Sequence, residues 1–389
     1  VDKIVAYETT ANTKTWEKNT LLVADNHTEG NDYEADFEIM SEDVAALIPT
    51  GMSEPFKGYL GDYVASGPLT TDIKEEINQG TLIVNYSGHG ATQIWADEHI
   101  FDTDDVLDLT NDDELVFMVN MTCMTGYFAY PELGFLDKPS LMEGLLRPEG
   151  KGAVAAFMPT GMTTTDGQRI LDTALFEAIF TDDIRTLGPA ISQAKQTLLA
   201  NGAQYEEVSE TFLLFGDPAM KLKIPLPHRP TGVSIESTAQ GITITWNAAT
   251  DCNGDPVFGY NVYRSTSPDG EYTKVNSVLI VDTEYTDTTA EDGTRYYYVV
   301  RAVDGDGDES VQSLKLSLLA GIGTGSGPAG SGGSCFISAL ACNVSSGGLS
   351  GTGIMKLFGS IGLLLIVEGA REMLGRLRQL RKRVMRTEC

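Results

Sequence analysis

Two short stretches carry side chains that could do covalent chemistry together. One is Tyr86-Ser87-Gly88-His89-Gly90, the other Thr122-Cys123-Met124-Thr125-Gly126. Cysteine attacks a carbonyl as the thiolate, and a nearby imidazole can make it one or protonate the leaving group. Glycines on both sides of His89 let a substrate approach the main chain closely. The amides of Gly90 and Cys123 could then donate to an oxyanion, a larger contribution than proton transfer alone. The 389 residues hold four histidines and five cysteines, and Cys123 is the sole cysteine among the first 222, so few other pairings are open. The same residues also suit plainer roles. A cysteine after an apolar strand is often a small buried hydrophobe, and a histidine between glycines is often a turn residue.

The elements that must position this pair are legible as apolar runs. Residues 20–24 (TLLVA), 81–85 (TLIVN), 115–121 (LVFMVNM) and 153–157 (AVAAF) have strand length and no alternation. That pattern predicts strands buried on both faces of a parallel sheet. Between them, 71–78 reads as a helix closed by Gly80, and 171–180 and 189–199 as further helices. Strand–helix alternation predicts an α/β layered sheet. His89 and Cys123 each fall just past the carboxyl end of a buried strand, where ligands bind in such sheets. If those strands are neighbours, the two side chains face one crevice.

Four stretches together resemble the gingipain family of cysteine peptidases. They are Asn85-Tyr-Ser-Gly-His89-Gly, Met121-Thr-Cys123-Met-Thr-Gly126-Tyr-Phe128, Gly152-Ala-Val-Ala and Phe215-Gly-Asp-Pro-Ala219, in that order. The resemblance covers roughly residues 1–223. It implies an α/β caspase-like layered sheet and a cysteine-type endopeptidase acting on proteins or peptides without cofactor or metal. Cys123 would be the nucleophile and His89 the general acid and base. Asp25, directly after residues 20–24, matches the acidic residue that orients the histidine. Asp36 matches, without gaps, the acid of the specificity pocket in arginine-type members, where it would pair with a basic side chain. Thr165 stands about where those members stack a tryptophan on the substrate. Trp95, six residues after His89, is a further candidate to line the cleft. Two departures imply a differently shaped pocket: Tyr127 follows Gly126 where the family commonly has Asp, and residues 159–168 hold no Trp. The opening Asp2-Lys-Ile-Val-Ala-Tyr7-Glu resembles a stretch part-way into the family's catalytic region, so the chain is read as truncated at its N-terminus.

Beyond residue 223 the texture changes. Residues 224–230 (IPLPHRP) read as a proline-rich linker, and 231–316 resemble an all-β fibronectin type III sandwich. Strands are expected at 241–246, 259–264 and 295–303, with Trp246 in the core and Tyr296 at a tyrosine corner. Asp304-Gly-Asp306-Gly-Asp308 lacks the rest of an EF-hand pattern and reads as a solvated turn. Residues 317–353 form a Gly/Ser-rich linker containing Cys335, and 354–389 an apolar segment with a basic end.

Charge adds a topological reading. The chain has 27 basic and 55 acidic residues, which argues against nucleic acid as the main partner. The first 350 residues carry a net −33, while 371–389 hold seven basic and two acidic residues. The tail resembles the tripartite sorting signals of Gram-negative surface proteins, with Cys335 as a processing site and membrane contact before processing. Residues 354–367 number 14, short of the ~20 a span needs. The expectation is an exported protein at the cell surface or outside the cell, at a Gram-negative outer membrane. The alternative is a surface adhesin or scaffold that keeps a peptidase fold without activity.

Overall fold

Apolar runs without alternation need cover on both faces, and the chain supplies it with helices on either side of one sheet. The computed structural model describes residues 1–26, 37–129 and 139–321. His27, Asp36, Cys335 and the segment 354–389 lie outside the described residues. In chain order the elements are α1 (Asp2–Thr9), β1 (Thr20–Ala24), α2 (Phe37–Ala45), β2 (Phe56–Tyr59), α3 (Ser66–Asn78) and β3 (Ile83–Ser87). A small hairpin sheet follows: β4 (Gly90–Ala91), β5 (Ile94–Trp95) and β6 (Phe101–Asp102). Then come β7 (Val116–Met121), α4 (Leu141–Leu146), β8 (Ala153–Pro159), α5 (Thr165–Phe176), α6 (Leu187–Ala200), α7 (Glu206–Thr211) and β9 (Phe212–Phe215).

The main sheet has the order β2-β1-β3-β7-β8-β9. All neighbours are parallel except β8 and β9. Alternate residues of each strand enter different cores. Leu22, Ile83, Phe117 and Phe157 pack with Phe37 and Val44 of α2 and Leu171 and Leu175 of α5. Leu21, Val84, Tyr86 and Met118 pack with Leu69, Ile73 and Ile77 of α3 and with the hairpin's Trp95 and Phe101. The four-residue spacing on α3 puts all three of its apolar side chains on one face. Each is fully buried, and truncating one to alanine costs about 2–5 kcal/mol. Gly80 at φ +90° turns the chain from α3 toward β3. Helix α3 starts five residues before the expected start, and α5 six, because their first turns lack apolar periodicity. Strand β3 runs two residues further than expected and so carries Ser87.

Seven further strands form the sandwich: β10 (Ser234–Thr238), β11 (Gly241–Thr245), β12 (Gly259–Ser265), β13 (Thr273–Lys274), β14 (Glu284–Asp287), β15 (Arg295–Val303) and β16 (Leu316–Leu319). They pair as β10-β11-β14 and β13-β12-β15-β16. Trp246 meets Tyr260 edge-on in the core, ring centres 5.3 Å apart. The Tyr296 hydroxyl accepts from the Glu291 N–H, the backward reach of a tyrosine corner.

The turn at 304–308 is not left to water. Lys14 Nζ lies 2.7 Å from a carboxylate oxygen of Asp304 and of Asp306, and Lys18 Nζ lies 2.9 Å from Asp308. Both lysines precede β1, so the sandwich meets the sheet at its amino edge. Residues 224–230 are likewise fastened rather than loose. Arg185 donates to the carbonyls of Ile224, Leu226 and Pro227 and to Asp183, which also takes His228 Nδ1 at 2.9 Å. No helix among the described residues is long and apolar enough to cross a membrane.

Candidate active site

From β1 the chain goes to one edge of the sheet and from β3 toward the other, so a crevice opens between their carboxyl ends. Asp25 follows β1 directly. His89 stands two residues past β3, and Cys123 two residues past the neighbouring β7. All three line one cleft of about 390 Å³, with Gly90, Ile94, Asp97 and Met162. Main-chain bonds continue beyond the strands and hold these loops in register. The Asp25 N–H donates to Ser87 O at 3.0 Å, and the Gly88 N–H to Met121 O at 3.1 Å.

Asp25 is 2% exposed and acts on His89 through the main chain. Its Oδ2 accepts from the His89 backbone N–H at 3.1 Å, and its Oδ1 from Asn26 N–H at 2.9 Å. Burial raises the Asp25 carboxyl above its ordinary pKa, and nearby Glu98 adds to this; the two amide bonds oppose it. The imidazole meets the Phe37 ring edge-on, centres 5.3 Å apart at 81°, which restricts its rotation. Phe37 escaped the sequence reading because its stretch shows only its acidic neighbours.

The Cys123 thiol is free and half-buried. Its Sγ lies 3.8 Å from the Thr163 carbonyl and 3.9 Å from Thr163 Oγ1. Gln168 Nε2 donates to Thr122 O at 2.9 Å and to Thr163 Oγ1 at 2.6 Å, and Thr163 Oγ1 donates to Thr122 O at 2.9 Å. These bonds tie the start of α5 to the cysteine turn. Met124 turns the chain at φ +59°, a left-handed angle costing a non-glycine residue ~1–2 kcal/mol. Its N–H bonds to Gly161 O at 3.0 Å, which helps to hold that conformation.

Two amides at the cleft are open. The Cys123 N–H has no hydrogen-bond partner among the described residues. Gly90 pairs opposite Trp95, while the adjacent His89 O accepts from Ala96 N–H at 3.0 Å. Alternation in an antiparallel ladder therefore leaves the Gly90 N–H pointing away from its partner strand. Gly90 packs so tightly that an added Cβ would collide with Thr122 Oγ1 and lie 3.3 Å from Cys123 O.

Two expected cleft residues sit elsewhere. Trp95 is fully buried, stacked on Tyr86 at 4.3 Å and tilted against Phe101. It faces the core, while its neighbours Ile94 and Ala96 line the cleft. Thr165 is the first residue of α5; Met162 lines the cleft in its place and Thr163 touches the thiol. Among the described residues no group of three or more His, Cys, Asp or Glu could hold a metal ion.

A largely parallel sheet bringing a histidine and a cysteine to one cleft at its carboxyl edge, with a β-sandwich behind it, places the molecule in the caspase-like class. The chain belongs to peptidase family C25, whose model matches residues 1–223; the fibronectin type III model matches 228–317. Gingipain R2 of Porphyromonas gingivalis is 26% identical over 269 residues, which is 65% of this chain and 34% of that protein. Gingipain R1 of the same species is 24% identical over 266 residues, 64% of this chain and 26% of that protein. The chain thus spans about a third or less of these curated relatives. The crystal structure of the Arg-specific cysteine proteinase gingipain R shares the fold, with a TM-score of 0.50 at 18% identity over 82% of this chain and 71% of that one.

Proposed function

We propose that the chain is a cysteine endopeptidase with Cys123 as nucleophile and His89 as general acid and base. The observation that carries this reading is the meeting of both residues with Asp25 and Gly90 in a single cleft. In the proposed reaction Cys123 passes its proton to His89 and its sulfur attacks the scissile carbonyl carbon. The Gly90 and Cys123 amides receive the oxyanion, a donor of this kind being worth ~10²–10³ in rate. His89 returns the proton to the departing amine. A water molecule, deprotonated by His89, then hydrolyses the thioester and restores the thiol. Asp25 fixes the His89 main chain, and Phe37 limits its ring. No cofactor enters this scheme.

The substrates are proteins or peptides. The arginine preference of the relative is not carried over, since Tyr127 and the Trp-free loop 159–168 favour a differently shaped pocket. We also propose an exported protein at a Gram-negative cell surface. The net −33 of the first 350 residues and the basic cluster after residue 370 support it, with Cys335 as the processing site. Deleting 354–389 is expected to shift the protein from the cell surface to the medium; equal retention would refute that placement.

The test of the chemistry is a thiol-reactive peptide probe on the full chain. The parent is expected to label at Cys123, Cys123→Ala to remain unlabelled, and His89→Ala to react ~10²-fold or more slowly. Equal labelling of Cys123→Ala overturns the assignment. A parent that never labels favours the inactive scaffold, which otherwise leaves the intact cleft unaccounted for.

A further inference from the structure

Behind the cleft lies a polar pair that this scheme does not use. Asn85 of β3 and Asp172 of α5 are 0% and 1% exposed. Ile83, Phe117, Leu171 and Leu175 fill the same layer, and Ser87, on the same face of β3, is buried there with no hydrogen-bond partner for its hydroxyl among the described residues. Asn85 Nδ2 donates to Asp172 Oδ1 at 2.7 Å. The two remaining oxygens, Asn85 Oδ1 and Asp172 Oδ2, have no hydrogen-bond partner among the described residues. With Asp172 ionised both are acceptors, and neither can satisfy the other. A single proton resolves the mismatch. As a carboxylic acid, Asp172 can donate from Oδ2 to Asn85 Oδ1, closing a cyclic acid–amide pair that satisfies both oxygens. A carboxylate in this layer with one neutral partner is strongly disfavoured by comparison.

The pair stands where it can govern the geometry of the dyad. Strand β3 runs from Asn85 to the His89 loop within four residues. On α5, Gln168 lies one turn before Asp172 on the same face, and it holds Thr122 O and Thr163 Oγ1 beside the thiol. One helix face therefore grips the histidine strand at Asp172 and the cysteine turn at Gln168. We infer that Asp172 is a neutral acid in the working protein and a positioning residue that, through Asn85, fixes the strand delivering His89 relative to the turn bearing Cys123. The positioning half of this inference rests on the peptidase reading; the neutral pair does not.

The surrounding charges do not oppose it. On α2, Asp43 pairs with Arg169 and Glu42 with Lys57. On α6, Lys195 donates to Phe212 O. Glu38 on α2, Asp166 on α5 and Glu177 just after α5 are acidic and do not favour ionisation of Asp172, and β3 and β7 carry no charged residue. Burial alone pushes its carboxyl up to about 8, against the pull of the Asn85 bond. The pair thus opens as pH rises through that value.

Asp172→Asn is the diagnostic change, since an amide N–H replaces the acid O–H and the ring survives without titrating. The full-length parent and variant are compared by infrared spectroscopy from pH 6 to 9.5. The parent is expected to show a protonated-carboxyl band at pH 7 that the variant lacks and that fades as pH passes about 8. A parent whose spectrum at pH 7 matches the variant's in this region overturns the neutral pair. The second readout is the ratio of Cys123 labelling rates, parent over Asp172→Asn, with the peptide probe. It is expected to hold steady below pH 7 and to fall at least tenfold by pH 9.5, while Asp172→Leu, which orphans Asn85, labels more slowly at every pH. A ratio flat to pH 9.5 overturns the positioning role even if the infrared band is present. A parent that does not label removes that role together with the dyad, and the band still decides the pair.

Discussion

Gly90→Ala is the smallest change that would part the two arms of the cleft. Gly90 has no left-handed backbone angle, so the added methyl meets no torsional strain. Alanine would even help by ~0.4–1 kcal/mol through the unfolded chain. Against that, the methyl collides with Thr122 Oγ1 and presses on the carbonyls of Cys123 and Ile94, each 3.3 Å away. Overpacking of this kind costs ~1–3 kcal/mol, so the net loss of stability is about 1–2 kcal/mol. The chemical effect should be larger. Relief requires the β4–β5 hairpin to lift off the cysteine turn, taking the Gly90 N–H out of the oxyanion position. Losing one such donor costs ~10²–10³ in rate, or about 2.7–4 kcal/mol. The structure also supplies the rescue. Thr122 Oγ1 is buried with no hydrogen-bond partner among the described residues, so Thr122→Ala breaks none of their hydrogen bonds and makes room for the methyl. The Gly90→Ala/Thr122→Ala double variant is expected to recover at least tenfold of the lost rate. The assay is kcat/KM on a peptide substrate beside thermal melts of all four proteins. A Gly90→Ala enzyme at parental kcat/KM, or a double variant no faster than the single, would refute the argument.

Three other outcomes follow from the packing. Trp95→Ala should cost ~3–5 kcal/mol by emptying the stack on Tyr86, while Trp95→Phe should leave KM unchanged, as melts and steady-state kinetics will show. Lys14→Met should destabilise by about 1–3 kcal/mol, because it takes the cation from Asp304, whose side chain is 1% exposed and keeps only the N–H bonds of Asp306 and Asp308; Lys18→Met should cost ~0.2–1 kcal/mol, and equal shifts in denaturant midpoint would contradict this. At Asp183, burial would raise the carboxyl, but His228 and Arg185 outweigh it and hold the pKa below the ordinary range. A depressed carboxyl stabilises at high pH and loses that contribution as pH falls through its folded value. The melting-temperature advantage of the parent over Asp183→Asn should therefore shrink below about pH 4.

What could be read from the residues follows a physical pattern. The runs at 81–85 and 115–121 announced buried parallel strands because their apolar residues do not alternate with polar ones, and that alone placed His89 and Cys123 just past strand ends. Trp95 was misplaced because a two-residue strand shows no alternation to say which way it faces. Thr165 was misplaced because the loop before α5 has no periodicity from which to count. Pro-rich 224–230 signalled a break, but burial of Ile224 and Leu226 depends on Arg185, some 40 positions earlier. Phe37 against His89 and Asn85 against Asp172, the latter 87 positions apart, exist only once the sheet has closed.

The docking of the sandwich also sets a direction of reach. It joins the sheet at Lys14 and Lys18, before β1, whereas the cleft lies beyond the other end of that strand. Strand β16 runs back along β15, so Gly321 emerges at the end of the sandwich remote from the 304–308 turn. The five residues of β1 span roughly 17 Å and the nine of β15 about 30 Å. The cleft and Gly321 therefore lie on opposite sides of the contact between sheet and sandwich.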